Sequence, residues 1–454
     1  MTGRSCARPW RRCAAALGLL SLAAFAPSAR GSDAPGSLPP HRPSASPTPT
    51  YAGVVASIFR AKCESCHRPG QVAPFSLQTY KQAVAWARDI KTYTQSRTMP
   101  PWKPVVGYGH FADEKELNLT DAERATIARW VDAGAPPGDP AKIPPPRHFA
   151  SGWFLGEPDV VLTPDRPYHV AADGEDVYRN FIIPTNFPEG RYVTAAEIQP
   201  SNRSIVHHCI LYVDAMGLTK MMKASDDGEP GYTSFGGPGF LPTGFLGGWA
   251  PGMNPHWTPE GVAMYLAKGA AIVLQVHYHK NGKPGTDLTR IGLHFARKPI
   301  DKRIHPMVLI NPAIAIPPGE SHFVAHATTL IPEDSHLVTM MPHMHFLGRE
   351  MKIWATLPDG TEKPVIWVRN WDFNWQPTYY LNPQLALPAG SHLSLVAYYD
   401  NSTSNPYNPN RASPKLVTFG EATTDEMCTG FFQVTYDAEH LASRSAPPHA
   451  ASMR

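Results

Sequence analysis

The stretch Met340-Met341-Pro342-His343-Met344-His345-Phe346-Leu347-Gly348 decides how the C-terminal part of the sequence is interpreted. His343 and His345 are two residues apart, and on a β-strand such residues project from the same face. Two imidazoles on one face supply half of the ligands of a copper or zinc site. The strongest candidate for a further ligand is Met427, in Thr424-Asp425-Glu426-Met427-Cys428. A thioether beside two imidazoles favours copper, because soft sulfur stabilises Cu(I).

The surrounding region, residues 151–440, is rich in β-strand signals that are broken by Pro and Gly at short spacing. This pattern predicts antiparallel β-sandwiches, and the length of the region favours two of them, at 151–297 and 298–440. The predicted strands are 192–199, 204–213, 271–279, 290–296, 322–331, 335–341, 350–357, 364–370, 391–399 and 429–436.

Two further histidine motifs fall in the first predicted sandwich: Val206-His207-His208-Cys209 and Gln275-Val276-His277-Tyr278-His279. Adjacent residues on a regular strand point to opposite faces. The first pair can therefore share a metal only through a local bulge or through different ring nitrogens. His277 would complete a three-imidazole site. His279 lies on the same face, as a fourth ligand or, more in keeping with its position, as a supporting or surface residue.

Cys63-Glu64-Ser65-Cys66-His67 is a C-x-x-C-H motif, the attachment signature of c-type haem. Its two thiols predict thioether bonds to the haem, and His67 is the predicted first axial ligand. Met99 is the predicted second axial ligand, because it precedes Pro100 in a loop after the motif. A thioether ligand would raise the haem potential. His110 is the rival ligand, and ordinary packing is the other interpretation of Met99.

Helical signals flank this motif. Val54 to Ala61 is amphipathic, and Leu119-Thr120-Asp121-Ala122-Glu123 offers an N-cap followed by acidic residues. The second helix is predicted to stop at Gly134. The order helix, C-x-x-C-H, methionine loop and terminal helix resembles a small class I cytochrome c. The resemblance implies a small all-α cytochrome c domain at 51–140, followed by a Pro-rich linker at 141–150.

The ends of the chain carry other signals. Arginines precede the apolar run Ala14–Ala26, so residues 1–29 predict a signal peptide, and 30–50 and 441–454 predict a disordered linker and tail. Elsewhere the sequence lacks the roughly 20-residue apolar run of a membrane helix. We therefore expect a periplasmic or secreted protein without a membrane span. The net charge of +3 shows no footprint for nucleic acid.

The metal-ligand motifs, taken in chain order, resemble the copper type II, ascorbate-dependent monooxygenases, the family of dopamine β-monooxygenase and peptidylglycine α-hydroxylating monooxygenase. The resemblance covers about 150–440 and implies two sandwich subdomains that face each other across a cleft, with one copper on each. It implies an electron-transfer copper held by three imidazoles and an oxygen-activating copper held by two imidazoles and a thioether. The implied ligands are His207, His208 and His277 for the first copper, and His343, His345 and Met427 for the second.

The chain departs from the family pattern at several positions. Met341 stands where the peptide-hydroxylating branch has an arginine, and Thr429 and Phe431 replace an asparagine and a tyrosine. These changes argue against a peptide C-terminus as substrate, and Val-His-Tyr-His is closer to the dopamine β-monooxygenase branch. Cys428, which joins a disulfide in the family, is expected to be a free buried thiol like Cys209; the pairing of these two cysteines is the alternative.

Together the motifs predict an exported dicopper monooxygenase that inserts one oxygen of O₂ into a C–H bond of a small organic substrate. The cytochrome predicts that electrons from ascorbate or a periplasmic redox protein pass through one covalent haem c. One alternative is a non-catalytic haem–copper protein that transfers electrons or binds copper. Another is a dehydrogenase or oxidase that uses the cytochrome as acceptor without inserting oxygen.

Overall fold

The computed structural model describes residues 47–71, 73–149, 152–234, 237–420 and 422–441. From Thr48 onward the chain forms one compact unit. The predicted signal peptide, most of the predicted 30–50 linker and nearly all of the predicted tail lie outside the described residues. Among the described residues, no helix has the length and apolar character that crossing a membrane requires.

The helices gather in the N-terminal part of the described chain. They are a π-helical turn at Tyr51–Val55, α1 (Ala56–Lys62), α2 (Tyr80–Ala85), α3 (Ala87–Gln95), α4 (Glu114–Leu117) and α5 (Asp121–Asp132). Helix α5 begins where the sequence predicts, because Thr120 and Glu123 form a reciprocal capping box. Phe59 and Trp130 pack edge to face in the small apolar core that these helices share, with ring centroids 6.0 Å apart.

The rest of the described chain is mostly β-structure. The strands that precede residue 304 are β1 (Val160–Leu162), β2 (Tyr168–Val170), β3 (Val177–Pro184), β4 (Arg191–Gln199), β5 (Val206–Asp214), β6 (Tyr232–Thr233), β7 (Gly244–Trp249), β8 (Val262–Leu266), β9 (Ala271–Tyr278), β10 (Gly285–Asp287), β11 (Arg290–Phe295) and β12 (Lys302–Arg303). They form one sheet in the order β1-β11-β4-β8-β12, a second in the order β6-β3-β9-β5-β7 and the pair β10-β2. Short 3₁₀ turns occur at Pro140–Lys142 and Leu218–Met221.

The remaining strands are β13 (His305–Ile310), β14 (Ala315–Ile316), β15 (Phe323–Leu330), β16 (Ser335–His343), β17 (Gly348–Thr356), β18 (Glu362–Val368), β19 (Tyr379–Leu387), β20 (His392–Tyr399), β21 (Val417–Thr418) and β22 (Thr429–Tyr436). They form two four-stranded sheets, β13-β22-β16-β19 and β15-β20-β17-β18, and the pair β14-β21. Each group of sheets encloses its own apolar core. The Gln433 side-chain amide reaches the carbonyl of Phe245, 3.3 Å away, and so joins the two groups.

The mostly β, antiparallel architecture confirms that part of the predicted fold class; β12, which pairs parallel with β8, is the exception. Every predicted strand coincides with or overlaps an observed one. Strands that the sequence did not predict include β7, which contains three glycines, and β19, which contains Pro383. Glycine and proline both weaken the strand signal, although a sheet tolerates them near its edge, where β7 and β19 lie.

The helical part is fastened to the second sandwich by backbone contacts. Pro104 forms an isolated bridge with Val368, and the amide of Val105 donates to the carbonyl of Trp367 at 2.7 Å. Phe111 forms a second bridge, with Leu381. Residues 104–112 therefore add to the sheet edges of the sandwich. The position of the helices relative to the sheets follows from this pairing as well as from the predicted 141–150 linker.

Gly109 lies at the closest approach of this segment to the sandwich. Its φ is +86°, and a Cβ there would clash with the carbonyl oxygen of Val365. Gly107, with φ +80°, has open space around the same position. We expect Gly109→Ala to lower the free energy of unfolding by about 2–4 kcal/mol and Gly107→Ala by about 1 kcal/mol. Equilibrium urea unfolding measures both, and equal losses would contradict this account of the docking.

Candidate metal centres

Three imidazoles converge on the outer face of the sheet that contains β5 and β9. The pairing of these strands shifts register between Val206 and His208, so the expected bulge lies at His207. His208 stands directly opposite His277 in the ladder. The Nδ1 of His207 lies 3.1 Å from the Nδ1 of His208 and 3.1 Å from the Nδ1 of His277. The bulge thus brings two adjacent histidines to one point.

The ring of His277 is held from behind by Asp176. Its Nε2 lies 2.8 Å from the Oδ2 of Asp176, so its Nδ1 is the nitrogen that faces the other two imidazoles. Tyr178 stacks on the same ring, with centroids 4.2 Å apart. His279 is exposed and shares the Asp176 carboxylate, with its Nδ1 3.1 Å from Oδ1. His279 therefore supports the cluster from outside and does not extend it.

Burial favours neutral imidazoles, which is the form that binds a metal. Desolvation lowers the pKa of His207 to about 4, and it lowers the pKa of His208 well below its usual range. Burial opposes ionisation of Asp176, but hydrogen bonds and charge from His277 and His279 bring its pKa down to about 2. Three imidazoles, one of them backed by a carboxylate, fit a copper or zinc ion by the chemistry of their donor atoms.

His343 and His345 lie together at the end of β16. The expectation that both sit on one strand is wrong, because the strand ends at His343 and His345 lies in the following loop. Their rings are nevertheless 5.1 Å apart, at 85° to each other. The Nδ1 of His343 lies 2.5 Å from the Oε1 of Gln376, and the Nδ1 of His345 lies 3.1 Å from the carbonyl oxygen of Asp425. Each ring therefore has its Nε2 left for a metal.

Glu426 joins this histidine pair to Met427. Its carboxylate accepts hydrogen bonds from the amides of His345 at 2.8 Å, Leu347 at 2.6 Å and Met427 at 3.2 Å. Burial raises the pKa of Glu426 to about 8, against the pull of these amides. Tyr399 fixes the same segment by donating to the Met427 carbonyl at 2.9 Å. One carboxylate thus brings together two segments about 80 residues apart in sequence.

The C-x-x-C-H motif forms a turn at the end of α1. The amide of His67 donates to the carbonyl of Cys63 at 2.9 Å, and both thiols are free. The Nδ1 of His67 lies 3.1 Å from the carbonyl of Phe75, which leaves Nε2 for an axial bond to iron. Burial lowers the pKa of His67 and keeps the ring neutral. The donor set and the held ring fit a covalent haem.

Met99 and His110 lie in different surroundings. Met99 is 42% exposed. Two other exposed apolar side chains, Trp86 and Tyr93, precede it in the sequence. Exposed apolar side chains of this kind provide surface that a haem ring would cover. His110 belongs to the segment that pairs with the second sandwich, where its carbonyl accepts from the amide of Asn382 at 3.0 Å. The axial role of Met99 stays a prediction.

The segment that carries the motif contacts the first sandwich and lies beside a loop of the second. Arg203, in the first sandwich, donates to the side chain of Gln71 at 2.7 Å. A Cβ on Gly252 would stand 3.0 Å from the Sγ of Cys66 and 3.4 Å from the Cη2 of Trp375. Gly252 belongs to the first sandwich, and Trp375 belongs to the second.

Three supporting residues escaped the sequence analysis: Asp176, Gln376 and Glu426. Each binds a candidate ligand and lies far from it in the chain or in a loop of no regular pattern. Only Glu426, next to Met427 inside a motif already singled out, carried a signal that could have drawn attention to it. Cys209 and Cys428 are free and buried, as expected.

Comparison with known proteins agrees with the chemistry of these sites. Residues 303–443 match the family of the copper type II ascorbate-dependent monooxygenase, C-terminal domain. The chain is similar to DBH-like monooxygenase protein 1 of Gallus gallus, with 24% identity over 277 residues, which are 55% of this chain and 42% of that protein. The chain thus spans less than half the length of that relative. Both findings are likenesses to monooxygenases, and the first is to a copper-dependent family.

Solved structures resemble the chain only weakly. PNGF-II in its P21 crystals covers 62% of this chain and 66% of its own, with a TM-score of 0.29 and 11% identity. Allantoicase covers 52% of this chain and 80% of its own, with a TM-score of 0.14 and 9% identity. Neither likeness bears on function.

The carboxylate behind His277 can be tested directly. Asp176→Ala should lower the copper affinity of the three-imidazole cluster by about 10- to 100-fold, because the ring loses the partner that orients it. Competition with a Cu(I) chelator measures the affinity. Asp173→Ala, a change of a nearby exposed carboxylate, is the matched control and should leave it unchanged. Equal affinities in the Asp176 variant and the parent would show that the ring is oriented without this carboxylate.

Proposed function

We propose that the protein is an exported dicopper monooxygenase that hydroxylates a small organic substrate and draws its electrons through a covalent haem c. The single observation that carries the proposal is the coexistence, in one compact unit, of two imidazole clusters with the ligand types of the family and a C-x-x-C-H turn whose Cys66 thiol borders Gly252 of the first sandwich. The match of residues 303–443 supports the copper chemistry.

The ligand assignment follows the geometry. His207, His208 and His277 would hold one copper through Nδ1 atoms. His343 and His345 would hold the other through Nε2 atoms, with the sulfur of Met427 as a third ligand. Copper ions bound there would supply one-electron redox chemistry and activation of O₂. The soft thioether favours the cuprous state at the second cluster.

The remaining work is done by the side chains around the ligands. Asp176, Gln376 and Glu426 hold the rings and the Met427 segment in place before a metal binds, which reduces the cost of assembling each site.

The overall reaction balances as follows: one C–H bond, one O₂, two electrons and two protons give one C–OH bond and one water. A haem on Cys63 and Cys66 would deliver the electrons one at a time, from ascorbate or a periplasmic redox protein. Attachment of c-type haem takes place outside the bacterial cytoplasm, which supports a periplasmic or secreted location.

The function is tested with the full-length protein loaded with haem and copper. It is supplied with ascorbate and ¹⁸O₂ and screened against a panel of small arylalkylamines, phenols and alkylbenzenes. We expect a hydroxylated product that carries one ¹⁸O atom per two electrons consumed. His207→Ala and Met427→Ala should abolish the product, and each should retain copper at the other cluster. Dehydrogenated products with peroxide or water as the only ¹⁸O products would identify an oxidase. A protein that binds copper but consumes no O₂ would be a carrier.

The haem is tested separately from the copper. Met99→Ala should abolish the weak long-wavelength absorbance of an oxidised His/Met haem and lower the haem potential, because a thioether ligand is lost. His110→Ala, the matched control, should leave both unchanged. The reverse pattern would transfer the axial role to His110, and unchanged spectra in both variants would exclude both residues.

A further inference from the structure

One loop touches every candidate redox site of the protein. The residues of this bridging loop, which connects β18 to β19, are Trp371, Asp372, Phe373, Asn374, Trp375 and Gln376. The loop ends at Gln376, whose Oε1 lies 2.5 Å from the Nδ1 of His343. Trp371 donates its indole N–H to the carbonyl of His345 at 3.1 Å. The loop thus orients both histidines of the second cluster.

The same loop reaches the first cluster and the haem-attachment turn. The backbone of Asn374 lies within hydrogen-bonding reach of the His207 imidazole. The indole of Trp375 and the thiol of Cys66 both border Gly252, since a Cβ on this glycine would stand 3.4 Å from the Cη2 of Trp375 and 3.0 Å from the Sγ of Cys66. Gly252 has φ +85°, and the missing side chain is what allows this close approach, because a Cβ there would be 3.0 Å from the sulfur.

The loop is held rigidly in this position. Asp372 pairs with Lys103, whose Nζ lies 3.1 Å away in the segment that fastens the helices to the second sandwich. The amide of Trp375 donates to the carbonyl of Asp372 at 2.9 Å, and the Gln376 side chain donates to the carbonyl of Phe373 at 2.7 Å. Phe373 packs on Phe346, with ring centroids 4.5 Å apart. A rigid loop keeps its distances to all three sites constant.

We propose that the bridging loop is the through-protein connection between the haem and the copper clusters, with Trp375 as its contact to the haem edge at Cys66. The inference rests on the proposed function and adds the positioning residue through which electrons leave the haem. A haem held by Cys63, Cys66 and His67 would supply one electron in each transfer, going from ferrous to ferric, and one cupric ion held by the histidine ligands would accept it and become cuprous. The Asn374 backbone leads to the three-imidazole cluster, and Gln376 leads to the second cluster.

The physical reason for this assignment is the distance between the electron donor and the electron acceptor. Electron tunnelling rates fall steeply with the gap between donor and acceptor, and bonded or closely packed atoms carry the coupling better than open space does. The indole of Trp375 borders the same glycine as the Cys66 sulfur, where a thioether would join the haem to the chain. Replacing it with a smaller side chain opens a gap on this route and leaves the ligands of both metals in place.

The experiment follows one electron inside the fully oxidised protein, loaded with haem and copper and kept under argon. A photochemical pulse reduces the haem, and the loss of ferrous haem absorbance is followed together with the loss of the cupric EPR signal. In the parent protein we expect haem reoxidation that disappears when copper is removed. Trp375→Leu should slow this phase by at least about tenfold, and Trp375→Phe should slow it less.

The matched control is Trp354→Leu, which removes another half-buried tryptophan of the second sandwich, on β17. It should leave the rate unchanged, and all variants should keep the copper content, the haem spectrum and the haem potential of the parent. An unchanged rate in Trp375→Leu, or equal slowing in Trp354→Leu, would overturn the assignment of the loop. A slowing that follows a shifted haem potential would overturn it too. If the parent itself shows no copper-dependent reoxidation, then the proposed haem supply fails and the loop assignment fails with it.

Discussion

A hydrogen bond to an oxygen atom holds one ring nitrogen in each of four histidines: His67, His277, His343 and His345. This constraint decides which ring nitrogen can face a metal. The nitrogen that is hydrogen-bonded to oxygen is Nδ1 in His67, His343 and His345, which leaves Nε2 for a metal. His277 does the opposite, because Asp176 holds its Nε2. An unpaired buried ring nitrogen would cost about 1–3 kcal/mol, so these partners stabilise the fold as well as the sites. Burial lowers the pKa of His67, His343 and His345, which favours the neutral form that binds a metal.

The backbone that carries these rings is held rigidly at the candidate sites. A bulge in β5 turns two neighbouring histidines to one point, and the Glu426 carboxylate joins two segments through backbone amides. The pairing of residues 104–112 with the second sandwich holds the helical part in one position. The Cys66 thiol of its C-x-x-C-H turn therefore borders Gly252, as does the indole of Trp375. The proposed supply of electrons through a haem would depend on such a fixed arrangement more than on a mobile, linker-bound domain.

Much of the candidate site was visible in the sequence because its ligands form short motifs on predictable strands. The three-imidazole cluster and its bulge followed from adjacent histidines that had to share one metal. His345 shows the limit of this reasoning: strand periodicity placed it beside His343, but β16 ends first and a loop carries it. The two rings still meet, because Glu426 holds the His345 amide from across the sandwich.

By itself, the sequence determined the antiparallel β-architecture, the helix beginning at Thr120 and the types of donor atom that the motifs offer. These properties depend on local periodicity, capping and residue chemistry, which the order of residues contains. The tertiary structure alone decided which ring nitrogen faces inward, that Asp176 and Gln376 support the ligands, and that Trp375 and the Cys66 thiol border the same glycine. These contacts join residues that lie far apart in the chain, and only the packing of sheets and loops brings them together.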